Sequence, residues 1–159
     1  MILAPVQPST TQEDIKRMTP FVQGFHIDAF RKSELRHLKC SKPIELHILG
    51  NFTAKAGLVI AEQGHPVLKG GKQGIFMPPA GKHNAHRLQF FCIDTKECVK
   101  MIKAARKLNP RAEIGVEGNI TLDNLVALRN AGADVFVLGF LWETSYLKEM
   151  SSLCLELLN

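Results

Sequence analysis

Two histidines and two carboxylates fall in or at the end of apolar segments, where burying an ionisable side chain is costly unless it has a partner. His26 and Asp28 are two residues apart, so a β-strand would point both to one face. His47 lies in the next apolar segment, and Glu117 ends a later one. This set of nitrogen and oxygen donors suits a divalent ion such as zinc, iron or manganese. We therefore expect a shared metal site, although each residue alone is also typical of a hydrogen-bonded strand end.

The segments that must position these residues are of two alternating kinds. Short apolar runs are followed by amphipathic helical patterns. In the first half, Thr10 with Glu13 predicts a helix start by a capping box, and a second, basic helix is expected over 32–39. In the second half, Asp94 and Thr121 predict helix starts, and Gly132 a helix end. The predicted strands are 2–6, 24–30, 44–49, 87–93, 113–117 and 134–139. A closing helix is expected to bury the stripe Tyr146, Met150, Leu153 and Leu157.

This rhythm predicts an α/β fold, a (β/α) TIM-barrel-like parallel sheet formed by residues 1–159 as a single domain. The segment 51–86 is rich in glycine and proline and is expected to be irregular, with short strands near 58–60 and 75–77. A typical barrel uses roughly 250 residues, or about 30 for each βα unit, so this segment is too short for two units. We therefore expect a barrel that is shortened or incomplete in the middle. Its open edge predicts a homo-oligomer.

Composition narrows the possible partners. The chain has 159 residues and a net charge of +5, which favours an anionic partner. Its basic residues form no long run and 7% of its residues are aromatic, which argues against nucleic acid. We therefore expect the partner to be an anionic metabolite. No apolar stretch reaches the roughly 18 residues of a membrane helix, so no membrane partner is expected. The four cysteines form no Cys-x-x-Cys pair and no signal peptide is visible, which predicts a cytoplasmic protein with reduced thiols.

A small residue lies at the end of each of the last two predicted strands. Gly118 follows one strand and Gly139 the other, where backbone N–H groups of a barrel can approach a phosphate. Ordinary turn glycines would give the same pattern, and spacing alone does not choose between the two interpretations.

Several motifs resemble those of ribulose-phosphate 3-epimerases, in the phosphate-binding TIM-barrel group. Phe25-His-Ile-Asp28 is similar to the family's strand-two metal motif, and Glu45-Leu-His-Ile48 to its strand-three motif. The segment 113–139, above all Ala131-Gly-Ala-Asp-Val-Phe-Val137, resembles the last two βα units. Ser9 falls where the family has an active-site serine. The resemblance covers about residues 1–49 and 95–141.

The resemblance implies a metal-dependent epimerase acting at C3 of a ketopentose phosphate such as D-ribulose 5-phosphate. One carboxylate removes the proton alpha to the ketone, the metal stabilises the enediolate, and a second carboxylate returns a proton to the opposite face. It implies that His26, Asp28, His47 and Glu117 ligate the metal, and that Asp28 and Glu117 are the acid/base pair. The resemblance places the sugar-phosphate substrate near Ser9, Gly118 and Gly139.

The chain also departs from the family pattern. Glu117 replaces an aspartate, Asn119 replaces a glycine and Phe140 replaces a small residue in the phosphate loop. These changes keep open a catalytically inactive homologue that binds a phosphorylated ligand or a protein partner. An epimerase for another ketose phosphate is a further alternative.

Overall fold

The computed structural model describes residues 1–34, 39–50, 54, 56–61, 72–143 and 147–158. The eight strands are β1 (Ile2–Val6), β2 (Gly24–Ala29), β3 (Ile44–Ile48), β4 (Leu58–Ala61), β5 (Lys72–Phe76), β6 (Arg87–Cys92), β7 (Glu113–Gly118) and β8 (Val135–Val137). The α-helices in these residues are α1 (Gln12–Met18), α2 (Thr95–Leu108), α3 (Leu122–Ala131) and α4 (Leu147–Leu158). Of the helices described, none is long and apolar enough to cross a membrane.

The strands form a closed barrel in which each pairs in parallel with its neighbour along the chain, and β8 pairs with β1. The predicted TIM-barrel-like parallel α/β fold is confirmed. The prediction of a sheet that is incomplete in the middle, with an open edge, is wrong because β4 and β5 both fit within 51–86. A shortened connection is visible among the described residues: residues 77–86, between β5 and β6, contain no helix. The homo-oligomer stays a prediction, now without an open edge to require it.

The predicted helix starts are correct to within a residue. Thr11, not Thr10, caps α1, and its capping box uses Asp14 rather than Glu13. Asp94 caps α2, as predicted, by accepting from the Glu97 N–H at 2.9 Å.

Two predicted helices differ more from the structure. Of the basic helix expected over 32–39, the structure describes a 3-10 turn at Lys32–Glu34, and 35–38 lie outside the described residues. In α4 the buried side chains are Leu147, Ser151 and Cys154, whereas Leu153 is 39% exposed. The predicted stripe is partly correct: Met150 and Leu157 are partly buried against the core, but the fully buried positions include the small side chains of Ser151 and Cys154. Tyr146 lies outside the described residues.

Side chains alternate between two environments along each strand. On β2, Phe25 and Ile27 belong to the main apolar core with the helices, whereas His26 and Asp28 form hydrogen bonds to residues of other strands. The barrel interior also holds a small separate apolar cluster of Leu3, Val135 and Val137. The interior therefore combines polar and apolar side chains.

The turn after β7 depends on Gly118. Its φ of +97° lies in the left-handed region, and a Cβ there would come 2.8 Å from the Cys92 carbonyl oxygen. The next two N–H groups have internal acceptors: Asn119 donates to the Cys92 oxygen and Ile120 to the Gly118 oxygen, both at 2.8 Å. At Gly139, by contrast, the nearest atom to an added Cβ is 4.0 Å away, on Pro5.

These two glycines should therefore respond differently to alanine. We expect Gly118→Ala to lower the free energy of unfolding by roughly 2 kcal/mol or more, since the added methyl group is strained in φ and meets a carbonyl oxygen. Gly139→Ala is the matched control and should stay within about 0.5 kcal/mol of the parent. Urea unfolding of the three proteins measures this, and equal losses at both positions would contradict it.

Candidate metal centre

The strand register brings the four predicted ligands together inside the barrel. In the β2–β3 pairing Asp28 lies beside His47, and His26 lies beside Glu45. Glu117 reaches the same point from β7, across the barrel. One donor atom from each of His26, Asp28, His47 and Glu117 lies within 4.8 Å of the others. The predicted cluster therefore exists as a geometric unit.

Each histidine contacts both carboxylates. His26 Nε2 lies 3.2 Å from Asp28 Oδ1 and 3.1 Å from Glu117 Oε2. His47 Nδ1 lies 2.9 Å from the same Asp28 oxygen and 3.4 Å from Glu117 Oε1. Three of the side chains are buried, while that of Asp28 is 47% exposed. Asp28 is thus the member of the cluster open to the mouth of the barrel.

These contacts shift the pKa of both imidazoles upward. Burial alone would lower the pKa of His26, but hydrogen bonds to Asp28, Glu117 and Glu45 outweigh it and raise that pKa well above its usual value. The pKa of His47 is raised for the same reason, by Asp28 and Glu117. The metal-free cluster consequently favours imidazolium rings beside carboxylates.

The carboxylates shift in the opposite direction. Burial would raise the pKa of Glu117, but its hydrogen bonds to His26 and His47 lower the pKa to about 2. The pKa of Asp28 is lowered by the same two histidines, again against the effect of burial. Both carboxylates are therefore ionised near neutral pH and present oxygen ligands without a proton.

The donor set fits a divalent ion. Two imidazole nitrogens and two carboxylate oxygens suit zinc, iron or manganese. One donor atom from each residue lies within 4.8 Å of the others, and the histidine nitrogens lie 2.9–3.4 Å from carboxylate oxygens, so the four side chains are close enough to share one ion. His26 also has a carboxylate on its far nitrogen, since Nδ1 lies 2.7 Å from Glu45 Oε1, an arrangement typical of metal-binding histidines.

Four residues around the cluster were not singled out by the sequence. Gln89 Nε2 donates to Glu117 Oε2 at 3.0 Å. The centroids of the Phe76 and His47 rings are 4.2 Å apart. Glu45 contacts His26, and Arg87 donates to Glu45. The residue spacing could have identified three of them. Glu45 is two residues before His47 on β3, and Arg87 is two residues before Gln89 on β6, so these polar residues share the inward face.

The predicted substrate residues lie at the same end of the barrel. Ser9 is exposed in the turn after β1, Gly118 is the last residue of β7, and Gly139 begins a 3-10 turn after β8. Apolar side chains also surround this mouth at the ends of β2, β3, β5 and β6, and the exposed ones are Phe30, Leu49, Met77, Phe91 and Ile93. Their role in binding a substrate stays a prediction.

Three of the four cysteines are buried, and burial raises the pKa of each of these thiols. All four cysteines are free, and burial raises the pKa of Cys98 to about 12, so this thiol stays protonated at neutral pH. The cytoplasmic location stays a prediction.

Comparisons with known proteins support the fold. None of the protein-family models matches the sequence, and no curated protein matches it significantly. Among solved structures, orotidine 5'-phosphate decarboxylase from Pyrococcus horikoshii OT3 superposes with a TM-score of 0.71 at 12% identity, covering 99% of each chain. Orotidine 5'-monophosphate decarboxylase from Sulfolobus solfataricus gives 0.60 at 11% identity, covering 99% of this chain and 96% of the other. The native KDPGal structure gives 0.65 at 12% identity, covering 98% and 93%.

The opposed pKa shifts predict a stability maximum for the metal-free protein at mildly acidic pH. The low pKa of Glu117 stabilises the fold above its unfolded value near 4.5, and this contribution is lost as pH falls towards about 2. The raised pKa of His26 stabilises the fold below its unfolded value near 6.5, and this contribution is lost as pH rises through the folded pKa.

Urea unfolding in the presence of a chelator, from pH 3 to pH 9, measures both effects. We expect the free energy of unfolding to fall on either side of about pH 5 to 6.5. Glu117→Gln is the control and should reduce the loss on the acid side without abolishing it, because it removes one of the two carboxylates whose pKa is lowered and leaves Asp28. A stability that stays constant from pH 6.5 to 9 would contradict the raised imidazole pKa.

Proposed function

We propose that this chain is a metal-dependent epimerase that acts at C3 of a ketopentose phosphate such as D-ribulose 5-phosphate. The observation that carries the proposal is the convergence of two histidines and two carboxylates at the carboxyl-terminal mouth of a closed barrel. The residues that would hold the ion are His26, Asp28, His47 and Glu117. A bound zinc, iron or manganese ion would polarise the substrate ketone and stabilise the enediolate charge.

Asp28 and Glu117 are suited to move the proton. They belong to β2 and β7, which are not neighbours in the barrel, so they approach a substrate from different sides. The reaction needs one carboxylate ionised, to take the proton from C3, and the other protonated in the substrate complex, to give its proton to the opposite face; the roles are exchanged in the reverse reaction. Asp28 is half-exposed at the mouth, whereas Glu117 is buried and held by Gln89.

The phosphate is proposed to lie beside Gly139 and Ser9, with Gly118 forming the adjacent wall. Gly139 has open space around its α-carbon. The N–H groups of Asn119 and Ile120 already donate within the protein, so the turn at Gly118 offers less to an anion. The likeness to an orotidine 5'-phosphate decarboxylase is compatible with a phosphorylated ligand.

The activity test uses metal-loaded protein and D-ribulose 5-phosphate. We expect epimerisation that a chelator removes, and a loss of at least about 100-fold in kcat/KM for Asp28→Asn, since the amide cannot accept the proton. Asp123→Asn is the matched control: this aspartate is exposed in the first turn of α3, and its variant should keep the parent rate. Unchanged turnover in Asp28→Asn would remove this residue from the reaction.

A binding protein without turnover is the second candidate, favoured by the phosphate side of the site. Phe140, partly buried against the core, follows Gly139 where the epimerase family has a small residue. Thermal unfolding with and without D-ribulose 5-phosphate separates the two functions: stabilisation together with turnover supports the epimerase, and stabilisation without turnover supports binding alone.

A further inference from the structure

A buried ion pair lies directly behind the candidate metal centre. Glu45 on β3 and Arg87 on β6 are 5% and 2% exposed, and the Arg87 guanidinium donates to Glu45 Oε2. Arg87 also donates to Glu113 Oε2, from Nη2 at 3.0 Å and from Nε at 3.2 Å. The guanidinium thus fixes the Glu45 carboxylate from the side away from the cluster.

The second oxygen of Glu45 contacts the cluster itself. Glu45 Oε1 lies 2.7 Å from His26 Nδ1, while the other ring nitrogen, Nε2, faces Asp28 and Glu117. An ionised carboxylate only accepts hydrogen bonds, so His26 Nδ1 must carry the proton in this contact. A neutral His26 then has its lone pair on Nε2, the nitrogen that faces the other donors.

We infer that Glu45 is a positioning residue that fixes the tautomer and ring orientation of His26 for metal binding, and that Arg87 fixes Glu45. The inference rests on the metal site of the proposed function. A carboxylate behind a metal-binding histidine typically changes metal affinity by 10- to 100-fold. A purely structural ion pair would explain the Arg87 contact, but it would not require the other carboxylate oxygen to accept from the imidazole.

Glu45→Gln separates these two roles. The Arg87 guanidinium has only donors, so it must keep the single amide oxygen of the variant. The amide NH₂ then faces His26 Nδ1 and needs an acceptor there, which moves the imidazole proton of the neutral ring to Nε2. We expect the affinity for zinc to fall 10- to 100-fold, measured by competition with a chromogenic chelator.

Glu113→Gln is the matched control. It removes a charge from the other carboxylate partner of Arg87, yet the contact of Glu113 with Arg87 does not involve His26. Its zinc affinity should stay within about threefold of the parent. Equal affinity losses in the two variants would overturn the inference, because they would show a general effect of the ion pair.

Nitrogen-15 NMR of the histidine rings reads the tautomer directly, without substrate or turnover. In zinc-loaded parent protein we expect a proton on His26 Nδ1 and zinc on Nε2. A proton on Nε2, or a parent protein that binds no zinc, would overturn the inference even if Glu45→Gln failed to fold. A protein that binds zinc through His26 but does not epimerise D-ribulose 5-phosphate would contradict the proposed reaction while supporting this role of Glu45.

Discussion

Charge buried inside a closed sheet is the constraint on which the rest of this structure depends. An unpaired buried charge would be strongly destabilising, so each one here has an opposite charge beside it. Arg87 lies between Glu45 and Glu113, and the histidines lie between carboxylates. The same pairing that makes these groups tolerable in the interior also holds their orientations. Folding and preorganisation of the site are therefore two results of one set of contacts.

Within this interior, neighbouring side chains of different length fit against one another. Glu117 is one methylene longer than the aspartate of the family that the sequence resembles, and Gln89 holds one of its oxygens. Gln89 in turn occupies the space above Gly115, where an added Cβ would lie 1.9 Å from its side-chain oxygen. The glutamate, the glutamine and the glycine are thus mutually dependent, and changing one alone would disturb the position of the others.

The sequence predicted the barrel and the four-residue cluster because both follow from short-range patterns. Alternation within a strand places His26 and Asp28 on one face, and parallel strands collect such faces at one end. It did not predict closure, since strands such as β4 are only four residues long and lack flanking helix signals. It also missed the contact of Arg87 with Glu45, which joins residues 42 positions apart and depends on the register of the whole barrel. The buried face of α4 was predicted in part, because the small side chains of Ser151 and Cys154 are buried beside Leu147 whereas Leu153 is exposed.

The helix-free connection between β5 and β6 makes the wall of the barrel uneven. On β5, Gln73 is exposed and Ile75 is half-buried. By contrast, β6 and β7 pack against α2 and are buried along most of their length. Backbone amides with little apolar cover open to solvent at lower free energy. Deuterium should therefore enter β5 before it enters β7, so that the barrel opens from one side while the strand carrying Glu117 is still closed.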